Sequence, residues 1–137
     1  MLQVVQAYDR APLAEIRTDD AAALEAKLAA ATRVFRDRDG RPKVEERIAV
    51  LRRVAAALAE KRDHFARQIA REGGKPLSDA TIEVDRAVDG LHAAADELRT
   101  VAGREIPMGL NQASAGRWAF TTREPISAVA AVSAFNP

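Results

Sequence analysis

The chain has 137 residues, a net charge of +1 from 21 Lys and Arg against 20 Asp and Glu, 47% hydrophobic residues, 4% aromatic residues and no cysteine. That length can bury about two-thirds of its unfolded surface in one core, and the lack of cysteine excludes disulfides, thiolate zinc ligands and a cysteine nucleophile within these residues. Balanced charge along the chain argues against nucleic acid or a polybasic membrane surface as partner. No apolar run approaches the roughly 20 residues of a membrane span, and Met1 to Asp9 lacks the grammar of a secretory signal, so the expected location is cytoplasmic. Nearly half of the hydrophobic class is alanine, which buries little area per residue and makes for a thin core.

In chain order, Leu2 to Tyr8 and Leu13 to Arg17 flank a polar break at Asp9-Arg10-Ala11-Pro12 and read as a hairpin. Thr18 or Asp19 is placed to cap a helix from Asp20 to about Asp37, with Leu24, Leu28, Ala31 and Phe35 on one face. Gly40 and Pro42 separate it from a second helix whose stripe is Val44, Ile48, Leu51, Ala55 and Leu58, with Glu45 and Glu46 at its positive end. Continuing the stripe lands on Arg62, so a break is expected near Lys61 to Asp63, Asp63 being the candidate cap of a short helix ended by Gly73 and Gly74. A long helix from Ser78 to about Ala102 carries Ile82, Val84, Val88, Leu91, Ala95 and Leu98, with Gly103 as its terminator.

Beyond Gly103 the pattern changes to loops, then to the alternating Arg117 to Arg123, which reads as a half-exposed strand. Ile126 to Phe135 is continuously small and apolar, as in a parallel strand covered on both faces. The expected organisation is an N-terminal hairpin over 1–17, a helical part over 18–103, and a loop with the first strands of a sheet over 104–137.

Few side chains suggest chemistry unaided. Glu72-Gly73-Gly74-Lys75-Pro76 fails as a phosphate loop, because Ile69 stands where the first glycine belongs and Pro76 where the hydroxyl belongs; a helix stop with Lys75 in solvent is the simpler reading. His64 and His92 have no clustered carboxylates, so no metal site is assigned. Glu83, Asp85, Arg86 and Asp89 read as a solvated helix face and Trp118 as a packing residue. Asn136, at the C-terminal end of a buried strand, sits at the ligand-facing edge of an open α/β sheet, where its amide can donate to a developing oxyanion, although Asn before Pro is also a common turn.

Taken in order, several segments resemble the amino-terminal region of the aldehyde dehydrogenase superfamily. Glu46-Arg47 with Leu51 resembles its E-R-x-x-x-L helix, Glu72-x-Gly74-Lys75-Pro76 its E-x-G-K-P turn, and Glu83-Val84 its E-V pair. Gly103 to Pro107 resembles the G-x-x-x-P connection, Arg123 to Val129 the R-x-P-x-G-V lead into the first nucleotide-domain strand, and Ser133 to Pro137 the P-W-N-F-P or S-A-F-N-H-P segment. Two departures stand out: Ser127 replaces the glycine of the lead-in, and Pro137 follows Asn136 directly.

The resemblance implies an α/β fold whose parent is Rossmann-like, with this chain mostly helical and bearing the hairpin and first sheet strands. It implies NAD or NADP as cofactor, a small aldehyde as substrate, and oxidation to an acid or acyl thioester through a cysteine thiohemiacetal. It also implies a homo-oligomer when complete. Asn136 matches the oxyanion-hole asparagine, and Ser133, Ala134 and Phe135 match the strand end along the cofactor. Lys75 and Glu83 are carried over as structural positions. The nucleophilic cysteine and general base lie outside these 137 residues, so hydride transfer is not assigned to them alone. The alternative is a stand-alone helical interaction module derived from such an enzyme, without catalysis.

Overall fold

The computed structural model describes residues 1–133. Leu2–Val5 (β1) and Pro12–Ile16 (β2) form the expected antiparallel hairpin, with Leu2 opposite Ile16 and a bulge between Val4 and Val5. Pro12 is accommodated as the first residue of an edge strand, where no ladder donor is required. The Asp9 carboxylate closes the turn, accepting from the Ala11 N–H at 3.0 Å and the Gln6 side-chain amide at 3.1 Å.

Helix α1, Ala21–Arg36, begins one residue later than expected: Asp20, not Thr18 or Asp19, accepts the Ala23 N–H at 2.8 Å. Its apolar stripe does not enter a core. Leu24 and Leu28 are 53% and 47% exposed, and Phe35 is half-buried beneath Arg41, whose guanidinium stands 5.1 Å from the ring centroid and donates to the Phe35 carbonyl at 2.7 Å.

The core lies among α2 (Val44–Glu60), α3 (Arg62–Gly73) and α4 (Leu77–Glu97), with α4 packed against both partners. Helix α2 starts past Pro42, and its first turn is closed by the Glu46 carboxylate accepting the Lys43 N–H at 2.7 Å. The break before α3 occurs where the stripe reached Arg62; Lys61 makes the junction, and Asp63 lies in the first turn instead of capping it. Ala80, Val84, Val88, Leu91, Ala95 and Leu98 form the inward face of α4, whereas Ile82 lies off that face and is 48% exposed. The fully buried positions are Ala55, Ala66, Ala80, Ala95 and Val84. Alanine at the crossing points lets helix backbones approach closely, while Leu58, Phe65 and Ile69 fill the flanks.

Two further expectations are corrected, and a third finds no partner among the described residues. Helix α4 ends at Glu97, with a turn to Thr100, so it does not run to Ala102 and Gly103 is not its terminator. The strand expected over Arg117 to Arg123 contracts to Ala119–Phe120 (β4), antiparallel to Glu105–Ile106 (β3). The described part of the expected strand, Ile126 to Ser133, is exposed and carries no ladder. A strand exists through its neighbours' hydrogen bonds, and no other described segment lies alongside this one to supply them. No helix among the described residues is long and apolar enough to cross a membrane.

Candidate functional site

The residues singled out for chemistry divide at the end of the described chain. Ser133 is exposed and outside regular structure. Ala134, Phe135 and Asn136 lie outside the described residues.

The corner between α3 and α4 explains the most distinctive motif. Gly74 adopts φ +67°, a left-handed conformation that glycine accepts without steric cost, and its N–H closes α3 on the Ala70 carbonyl at 2.9 Å. Pro76, at φ −53°, then opens α4. Between them Lys75 turns inward, contrary to the solvent-facing reading. Its side chain is 10% exposed and its ammonium donates to Glu83 Oε2 at 2.6 Å. The E-x-G-K-P segment is thus a helix stop and helix start, locked by an ion pair to the glutamate of the E-V pair. Glu83→Ala leaves a nearly buried ammonium without its acceptor and is expected to lower stability by about 1–2 kcal/mol, with Glu83→Gln losing less. Chemical denaturation of the two variants checks this ordering.

Arg62, the charge that interrupted the α2 stripe, reaches across to α4. Its Nε and Nη2 donate to Asp85 Oδ1 and Oδ2, each at 2.6 Å, in a bidentate pair. Sequence reasoning placed Asp85 on a solvated face; the only signal for the pairing was a charge at a core-period position. The hydrogen bond from Arg62 holds the Asp85 carboxyl below its ordinary range, and the same bond raises the guanidinium further above its own. A depressed carboxylate contributes stability that is fully present above the unfolded range, near pH 4, and is lost as pH falls through the folded value. Thermal melts of the native chain and Asp85→Asn are therefore expected to differ at neutral pH and to converge in acid.

His64 and His92 are exposed, and among the described residues no three His, Cys, Asp or Glu side chains gather closely enough to hold a metal. Trp118 is 84% exposed instead of packed, since the short β3–β4 ribbon has no covering layer among the described residues. For a dinucleotide, Ser133 alone of the expected contacts is described, and the Gly73-Gly74 turn is already used as a helix stop with Lys75 held by Glu83. That turn is therefore not a dinucleotide phosphate cradle.

Four helices, preceded by a hairpin and followed by short strand pairs, make an α/β chain. The chain belongs to the aldehyde dehydrogenase family, whose model matches residues 1–137. It is 34% identical over 124 residues to the 3-sulfolactaldehyde dehydrogenase of Pseudomonas putida, covering 90% of this chain and 24% of that protein. Among solved structures, aldehyde dehydrogenase 21 from Physcomitrella patens, in complex with the reaction product succinate, matches with a TM-score of 0.78 and 28% identity over 84% of this chain and 24% of its own. A NAD-dependent benzaldehyde dehydrogenase from Corynebacterium glutamicum matches with a TM-score of 0.69 and 26% identity over 77% of this chain and 23% of its own. The chain spans about a fifth to a quarter of the length of the relatives it matches.

Proposed function

We propose that this chain supplies the amino-terminal part of an NAD(P)-dependent aldehyde dehydrogenase that oxidises a small aldehyde to an acid or acyl thioester, works in the cytoplasm and assembles as a homo-oligomer. Residues 1–17 contribute the hairpin, 18–103 the helical part of the cofactor-binding domain, and 104–137 the entry into the dinucleotide-binding sheet. The observation that carries the reading is the family match over residues 1–137, with the motifs in family order. NAD(P), bound in the complete enzyme, would supply the hydride acceptor. Asn136 is the group in this chain that acts on the reacting atoms: its side-chain N–H donates to the aldehyde oxygen as negative charge develops there during thiolate attack. Ser133, Ala134 and Phe135 line the cofactor edge and set the position of that amide.

The test is a chimera in which residues 1–137 replace the matching segment of the Pseudomonas putida 3-sulfolactaldehyde dehydrogenase. Aldehyde-dependent reduction of NAD(P) that follows the presence of this segment supports the reading, and a folded, oligomeric but inactive chimera counts against it. The exposed apolar stripe of α1 favours a second reading, a helical interaction module without catalysis. Cooperative unfolding of the isolated chain, indifferent to NAD and NADP, would support that module.

A further inference from the structure

One groove lies outside the residues assigned to catalysis or cofactor binding above. It has a volume of about 340 Å³ and runs between β2 and α3, with Leu13 and Ala14 forming one wall. The other wall is the face of α3 carrying His64, Arg67 and Arg71 on successive turns. The hairpin turn that leads into β2 is tied to α3: the Ala7 N–H donates to the Arg71 carbonyl at 2.9 Å, and Arg71 Nε donates to the Gln6 side-chain oxygen at 3.4 Å. The one carboxylate in the lining, Glu72, is engaged by the Gln68 amide at 2.8 Å. None of the ion pairs formed among the described residues involves Arg67 or Arg71.

Two guanidinium forks one helical turn apart repel each other, and an oxyanion between them reverses that interaction. A carboxylate is satisfied by one fork, whereas the three free oxygens of a phosphate monoester can accept from both and from the imidazole N–H. The groove is larger than the phosphate head, and Leu13 and Ala14 offer an apolar wall to a short carbon body. We propose that this groove binds a small phosphate monoester, held by Arg67 and Arg71. The site is independent of Asn136 and of the dehydrogenase reading.

The experiment is a titration of the ¹⁵N-labelled 137-residue chain with glycerol 3-phosphate at constant ionic strength, followed by amide shifts. Saturable shifts confined to residues 13–14 and 64–72 are expected, with none for glycerol and at least tenfold weaker binding for acetate. The R67Q/R71Q double variant, its remaining spectrum unchanged, is expected to bind at least tenfold more weakly. R67K/R71K should fall between, and R33Q/R36Q on α1 should bind as the native chain does. Equal affinity for acetate, shifts that spread equally to the α1 arginines, non-saturating shifts, or full affinity in R67Q/R71Q would each overturn the proposal.

Discussion

Asn136→Ala, introduced into the active chimera, is expected to lower the rate of the hydride-forming step by about 10²- to 10³-fold while leaving KM close to its starting value. Attack of a thiolate on an aldehyde moves charge onto the carbonyl oxygen. A donor fixed at that position stabilises the tetrahedral adduct far more than the neutral ground state, so its loss appears in the rate and not in substrate affinity. Single-turnover formation of NAD(P)H is the appropriate readout, because product release can set steady-state kcat and conceal a slower chemical step. Asn136→Asp tests the sign of the effect: in the role proposed for Asn136 it preserves shape but would place an acceptor and a negative charge beside the developing oxyanion, and should be at least as slow as the alanine variant. A rise in KM with an unchanged single-turnover rate would assign Asn136 to binding and remove it from the oxyanion hole.

Gly103→Ala carries the largest expected structural effect. A Cβ at this position would coincide with the backbone carbonyl oxygen of Thr121, and backbone cannot rotate aside as a flexible side chain can. The approach is enforced by the adjoining bonds: Thr121 N–H donates to the Arg104 carbonyl at 2.8 Å, and Arg104 N–H donates to Thr121 Oγ1 at 2.9 Å. Relieving the clash must break both and separate β3 from β4, a loss of about 1–3 kcal/mol at typical net values per bond plus the cost of the displaced packing. Hydrogen exchange reads the result locally. Protection of the Thr121 amide should collapse while amides in the middle of α4 exchange as before. Unchanged protection of Thr121 would show that the backbones can part without loss.

Gly103 shows what could be read ahead of the fold and what could not. Its place in a G-x-x-x-P connection marked it as special, and one-dimensional rules assigned the commonest task of a glycine after a helix, the stop. The helix ends earlier, and the glycine is required by the backbone of Thr121, 18 residues further on and just past β4, a partner invisible to local rules. Lys75 follows the same logic. Turn chemistry correctly found the stop at Gly74, but the ammonium's direction depends on Glu83, in the second turn of α4, which the corner geometry brings within reach. Arg62 was legible as an interruption and not as half of a bidentate pair, because period arithmetic detects a charge out of place without naming its partner.

What the sequence by itself determined about this protein is local: the hairpin, four helices bounded by caps and glycines to within a few residues, the buried face of α4, and membership of its family through motifs in order. Hydrophobic periodicity, propensity and capping act over a few residues, so they are readable without a fold. Length and composition admit a core but do not set its character. Only the tertiary structure decided that alanines occupy the helix crossings, that the apolar stripe of α1 stays open, that Ile126 to Ser133 lacks a ladder, and that Arg62 binds the start of α3 to α4. Those outcomes depend on which backbones approach one another, a property of pairs of segments distant in the chain.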